Sequence, residues 1–240
     1  MKYFLFDIET IPTRNNLVID LFKDEDAETG CKAKAPTSAK PKPETIAKYE
    51  NEVANWFTPE SIANRISDAV GKTSKNPLLA EIIVISAIAD GVSYRFSTNQ
   101  STEFQLLWSF KKFIDEFISH KTYYVGYFIK GFDLGVIWNR FIYHGIEPPV
   151  NFPSYYRGWR GNVMDLSDLV PCNPGTSLDL ICRAYGIKGK SVIWKGKTMN
   201  GSRVTEAYEA GEFDMLDSYC DDDVAITWEL FKKIKRPNTL

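Results

Sequence analysis

The order of apolar runs and polar breaks predicts a mixed α/β fold: a β-sheet flanked by helices on both sides, with a largely helical insertion after the first strand. Three observations carry this. Residues Tyr3–Ile8 form an aromatic and apolar run with the character of a strand buried on both faces. EIIVISAIAD and GVSYRFS, separated by the Asp90-Gly91 turn, read as a hairpin. Thereafter segments with helical spacing alternate with short strand-like runs, the pattern of helices laid against a sheet.

Taken in order, the region 13–77 breaks the pattern after the first strand. It is polar and poor in clear periodicity, with an acidic cluster at Asp24, Glu25, Asp26 and Glu28 and then the Lys/Pro/Ala stretch CKAKAPTSAKPKPE. Within it Pro43–Phe57 and Thr58–Val70 read as helices, Thr58 as N-cap and Pro59 at the first helical position. The expected organisation is one domain over residues 1–240 with 13–77 inserted in it. After the hairpin, Thr102–Ser119 places Phe104, Leu107, Trp108, Phe110, Phe113, Ile114 and Phe117 at helical spacing. TYYVGY is a strand, Phe132–His144 a helix ended by Gly145, and Val163–Leu166 a short strand. Helices are expected at Ser177–Tyr185, Arg203–Ala210 and Phe213–Ile234.

Composition narrows the function classes. The chain has 240 residues, a formal net charge of −2 and 44% apolar residues, enough for a sizeable core but no basis for binding nucleic acid by bulk charge. Its four cysteines form no CxxC pair, and its two histidines, His120 and His144, have no metal-ligand spacing. No signal-peptide plan and no run long enough for a bilayer is present, so the expected location is cytoplasmic.

Three places concentrate carboxylates. On the last helix Leu216, Tyr219, Ile226, Thr227 and Leu230 form one stripe at 3.6 residues per turn, and Asp223 falls in its middle, with Asp221 and Asp222 turned to water. An ionised Asp on a core face must be paired with an Arg or bound to metal. Tyr219, four residues earlier, projects from the same face. In the first strand Asp7 and Glu9 are two apart and share a face. They stand at its C-terminal end, the ligand edge of an α/β sheet, unless they are simply solvated. Asp133 begins a helix, which favours an anion whatever its function. Asp165, in VMDLSDLV, reads as structural.

These motifs resemble the DEDD 3′-5′ exonucleases, a superfamily with the ribonuclease H-like fold. FDIET supplies Asp7 and Glu9, GFD supplies Asp133, and YCDDD supplies Tyr219 and Asp223. Ser218 stands where the histidine subtype has its base, so the pattern is that of the tyrosine subtype (DEDDy). Within it the chain is similar to stand-alone exonucleases related to the proofreading domain of family B DNA polymerases, through SLDLICRAYGIKGK and VTEAYEAGEFDMLDSYCDDDVAITWELF. The second motif of that family usually carries an Asn five residues before its Asp. Here the position is Phe128, which can stack on a base or pack in the core.

The resemblance implies two divalent ions, Mg²⁺ or Mn²⁺, held by Asp7, Glu9, Asp133 and Asp223, with Tyr219 orienting the attacking water. It implies a single-stranded nucleic-acid substrate, DNA before RNA, and replication or repair proteins as partners. Thr10 and Phe132, beside the acids in their motifs, are expected to touch the strand. Arg157, Trp159 and Arg160 in YYRGWRG mix stacking and phosphate-neutralising groups. Lys190, with Lys188, Lys195, Lys197 and Arg203, forms a basic run that either follows the strand backbone or is a solvated loop. The competing expectations are an inactive nucleic-acid-binding module and a structure-specific endonuclease on the same fold.

Overall fold

A computed structural model describes residues 2–155, 159–160, 162–173 and 175–235, Arg160 by its backbone alone. The chain divides into two compact units: one holds the first strand through Ile11 and the chain from Lys75 on, the other is Pro12–Ser74.

The first strand, β1 (Lys2–Ile11), opens the larger unit, and the smaller unit follows as α1 (Asn16–Glu28), α2 (Pro43–Trp56) and α3 (Pro59–Lys72). Back in the larger unit come β2 (Glu81–Ala89), β3 (Val92–Ser97), α4 (Glu103–Phe117), β4 (Thr122–Gly126) and α5 (Asp133–Tyr143). Two-residue strands β5 (Ser154–Tyr155) and β6 (Trp159–Arg160) precede β7 (Val163–Asp165), α6 (Leu166–Leu169) and α7 (Leu178–Ala184). The chain ends in a small hairpin, β8 (Ile193–Trp194) and β9 (Lys197–Thr198), then α8 (Val204–Glu209) and α9 (Phe213–Ile234).

The main sheet has the order β3-β2-β1-β4-β7. β2 runs antiparallel to β1 and β3, while β4 is parallel to β1 and β7 parallel to β4. β1 is therefore central and buried on both faces. Its even residues Phe4, Phe6 and Ile8 pack with Leu107, Phe110 and Ile114 of α4 and Val136, Ile137 and Phe141 of α5. Its odd residues face the other way: Leu5 joins Val224 and Leu230 of α9, and Ile11 joins Leu216, Tyr219 and Cys220 of the same helix. Asp7 and Glu9 lie between Leu5 and Ile11, so strand alternation alone aims both carboxylates at α9.

Parallel pairing of β1 with β4 covers Lys2↔Thr122 to Leu5↔Val125. The last six residues of β1 thus have no partner in β4, and β1 runs on past the point where β4 ends. A buried cluster fixes α5 beside it: the Glu103 carboxylate accepts the Ile82 N–H (2.7 Å), Arg140 Nε (2.8 Å) and a bond with His144 Nε2 (2.9 Å). Burial pushes the pKa of Glu103 up, but hydrogen bonds from His144 and Arg140 outweigh it and leave the carboxyl below its usual range. His144 is thus a helix-end residue with a partner.

In the smaller unit, α3 begins as expected, with Thr58 Oγ1 accepting the Ser61 N–H (3.2 Å) and Pro59 in the first turn. Arg65 forks onto Asp26 (2.7 and 2.9 Å), donates to the Trp56 carbonyl (2.9 Å) and lies 4.1 Å over the Trp56 ring. The Thr13 N–H donates to Thr73 Oγ1 (2.8 Å), bringing the two ends of the unit together. The helix α1 was not legible in the sequence. Like α2 and α3 it buries none of its residues, but it lacks the proline that marks the first turn of each of those, and its N-cap Asn15 is the local signal it offers.

Candidate active site

Asp223 is 5% exposed, inside the stripe of Leu216, Tyr219, Ile226, Thr227 and Leu230 on α9. Glu9 is buried and Asp7 half-buried. One carboxylate oxygen each from Asp7, Glu9 and Asp223 lies within 4.8 Å of the others. Like charges at this spacing oppose one another's ionisation. Burial, then Asp133, Asp223 and Glu9, push the Asp7 carboxyl well above its ordinary range. Glu9 is raised by burial and then by Asp223, against Lys190. Asp223 is raised by burial, against the opposing pull of Lys190 and of hydrogen bonds from Lys190 and Tyr219.

Asp133 lies outside that group of three, at the first residue of α5, and is buried. Its carboxylate accepts the N–H of Ile8, the residue between Asp7 and Glu9, as well as its own. Burial pushes its pKa up to about 7 despite these bonds.

Lys190 is the cation of the cluster. Its Nζ donates to Tyr219 Oη (2.6 Å) and Asp223 Oδ2 (2.6 Å) and lies 4.5 Å over the Tyr219 ring. Burial pulls its pKa down, but Asp223, Glu9 and Asp7 outweigh this and hold it above the usual lysine range. The loop carrying it is clasped by Asp222, which accepts Ser191 N–H (2.7 Å) and Oγ–H (2.9 Å), and by Asp179, which accepts the Lys190 N–H (2.7 Å). The Tyr219 phenol is pushed far up by burial, then by Glu9, Asp223 and Asp7, so it stays protonated.

The donor set fits a divalent cation. One ammonium offsets one of the four acids, and Asp223 Oδ1 is buried with no hydrogen-bond partner. Hard oxygen donors of this kind suit Mg²⁺ or Mn²⁺, which remove the mutual repulsion. Asp7, Glu9 and Asp223 are the group placed to hold an ion, with Asp133 beside Asp7.

Several sequence-based expectations land elsewhere. Asp221 and Asp222 do not simply face water: Asp221 pairs with Arg95 and accepts Ser86 Oγ–H (2.6 Å), and Asp222 clasps Ser191. Asp165 is structural, the buried N-cap of α6, accepting the N–H of Phe128 (2.8 Å), Lys130 (2.9 Å) and Ser167 (3.0 Å). Phe132 packs against the core rather than standing clear. Thr10 is buried at the bulge where β1 pairing with β2 slips after Glu9. Trp159 donates from Nε1 to the Lys130 carbonyl (2.8 Å) and meets Tyr155 edge-on at 5.2 Å. Arg157 and the Arg160 side chain fall outside the described residues. In the basic run, Lys195 pairs with Glu206 (2.8 Å) and Arg203 donates to the Trp194 carbonyl (2.9 Å), so these two brace their own loop.

Cys220 was missed from sequence. Its buried Sγ donates to the Asp7 carbonyl at 3.5 Å and lies 4.0 Å from Asp7 Oδ2. Its spacing of four from Leu216 and from Val224 on α9 is the signal that could have found it.

A mixed sheet of this order, with acids gathered where the central strand outruns its parallel neighbour, is a ribonuclease H-like fold. A family model described as a predicted 3′-5′ exonuclease related to the exonuclease domain of PolB matches residues 78–238, and the chain belongs to that family. A search of curated proteins found no match. Asp133, Lys190, Tyr219 and Asp223 lie within the matched residues; Asp7 and Glu9 precede them, and β1 brings them in from the centre of the sheet. Among the described residues no helix is long and apolar enough to cross a membrane.

Proposed function

We propose that the protein hydrolyses single-stranded nucleic acid from its 3′ end, DNA in preference to RNA, at a divalent-metal centre. The observation that carries this reading is the convergence of Asp7, Glu9 and Asp223 within 4.8 Å, with Asp223 Oδ1 buried and unpartnered. Two ions, Mg²⁺ or Mn²⁺, would suit the acids, and Asp7, Glu9, Asp223 and Asp133 are the residues that would hold them. Bound metal supplies Lewis-acid stabilisation of the phosphate oxygens.

The chain's own groups do the rest. Tyr219 cannot act as a base while its phenol is held protonated, so its role is to orient water by hydrogen bonding. Lys190 fixes that phenol and Asp223 in one geometry and limits the negative charge a phosphate must approach. Asp133, at the start of α5, has its charged form favoured by the Ile8 N–H of β1. Residues 12–74 form an insertion within the exonuclease domain in this reading.

The test is a 5′-labelled strand incubated with Mg²⁺ or Mn²⁺ and wild type, Asp7→Ala or Asp223→Ala, on DNA and RNA in parallel. A ladder shortening from the 3′ end with wild type alone is expected. Equal cleavage by all three proteins, or scission of a circular single strand, overturns the reading.

A further inference from the structure

Three described non-glycine residues have positive φ: Asp90 (50°), Phe128 (62°) and Lys195 (47°). Two are explained by turn chemistry. Asp90-Gly91 and Lys195-Gly196 are hairpin tips, where both residues of a tight turn take left-handed backbone. Phe128 is not at a hairpin tip, and an aromatic side chain is among the residues least suited to that region.

The fold holds it there nonetheless. The buried Asp165 carboxylate accepts the Phe128 N–H with one oxygen (2.8 Å) and the Lys130 N–H with the other (2.9 Å). The Phe128 carbonyl accepts from Gly131 (3.1 Å) and Phe132 (3.2 Å), joining the turn to α5 one residue before Asp133. Trp159 Nε1 braces the same turn at the Lys130 carbonyl (2.8 Å). What this restraint presents is a ring 57% exposed. Its tip rests on Gly131, where a Cβ would lie 2.4 Å from the ring. A fold that needed Phe128 for packing would bury it. Strain held by a buried carboxylate, beside a candidate catalytic acid, is the mark of a functional position.

We propose that Phe128 is a stacking platform for a base of the substrate strand at or next to its 3′ end, a contact that senses the presence of a base and not its identity. Every base offers a π-face, so stacking tolerates sequence where hydrogen bonding would not. The inference rests on the exonuclease reading, which supplies the strand.

Binding of 5′-fluorescein-labelled single strands, followed by anisotropy with Ca²⁺, tests it on wild type, Phe128→Ala, Phe128→Gly and Phe128→Trp. The strands are intact or carry an abasic residue at the terminal or penultimate position. Alanine and glycine should weaken binding of the intact strand by about 5- to 100-fold, and tryptophan should retain it. An abasic residue at one of the two positions should weaken wild type by a similar factor and leave Phe128→Ala unchanged. Changing the base among A, C, G and T should matter little. Phe128→Gly relieves the backbone, so its melting temperature should equal or exceed that of wild type.

Equal affinity of wild type and Phe128→Ala for the intact strand overturns the proposal. So does a loss that persists on both abasic strands, or a lower melting temperature for Phe128→Gly, which would make the ring a packing residue. Each of these can occur while wild type still shortens strands from the 3′ end, so the proposal can fail with the exonuclease reading intact. If no strand is bound or shortened, both fall.

Discussion

At the scale of single residues the site is a set of acids held against their own repulsion. Raised carboxyl pKa values in the folded state mean that folded protein keeps protons that the unfolded chain releases. Stability is then fully present below the unfolded value and falls as pH rises toward the folded ones. For Asp133 that window runs from the ordinary 3.8 to about 7, and Asp7, Glu9 and Asp223 shift in the same direction. In EDTA, thermal melts should therefore show a falling melting temperature between about pH 4 and pH 7. Adding Mg²⁺ or Mn²⁺ should raise it more at pH 8 than at pH 5, because the ligands must be deprotonated to bind. A flat profile in EDTA would show that the acids do not repel as described. Asp7→Asn should raise the metal-free melting temperature at pH 8 while abolishing cleavage, the usual exchange of stability for function. Lys190→Ala should do the reverse, lowering that melting temperature at pH 8 and much less at pH 5, where the acids hold protons.

At the scale of elements, the placement of the acids depends on where β4 stops and α5 starts. The buried Glu103–Arg140 pair joins α4 to α5, and its carboxylate also anchors β2 through Ile82. Glu103→Ala should leave Arg140 buried and unpaired and cost about 3–5 kcal/mol, read as a lower urea midpoint. Gly126 ends β4: a Cβ there would lie 2.2 Å from Ile129 Cγ2 and 3.0 Å from the Phe6 carbonyl. Gly126→Ala should cost roughly 1–3 kcal/mol by overpacking and reduce cleavage, since it pushes β4 from β1 beside Asp7; unchanged stability would mean the junction relaxes freely. Element-level reading from sequence worked where apolar neighbours set a strong local period. The stripe on α9 picked out Asp223 and Tyr219, because a charge among apolar neighbours breaks a strong period; the alternation of β1 put Asp7 and Glu9 on one face, and family resemblance set them apart from solvated acids. Asp133 gave no such contrast, since an Asp in a first helical turn is ordinary, and family resemblance was needed. Lys190 sits in an irregular loop, where no period says which way a side chain points. Helix α1 lacks the first-turn proline that marked α2 and α3 and left no pattern.

At the scale of the whole molecule, the smaller unit has its ends joined by the Thr13 N–H on Thr73 Oγ1, which supports the proposal that it is an insertion. Replacing residues 12–74 by a short Gly/Ser linker should leave a cooperatively folding chain that keeps metal-dependent cleavage, checked by circular dichroism melts and the labelled-strand assay. A molten or insoluble product would show that the larger unit needs the insertion. The sequence by itself determined which face of β1 and which stripe of α9 carry acids, because backbone geometry fixes periods of two and 3.6 locally. It also determined that the motifs occur in the order of an exonuclease. Only the tertiary structure decided that β1, ahead of a 63-residue detour through Pro12–Ser74, lies between β2 and β4 with its acids on α9. The same packing put Lys190 on Asp223, and Asp165 under a strained Phe128. Those meetings are set by cooperative burial between segments far apart in the chain, and no local pattern encodes them.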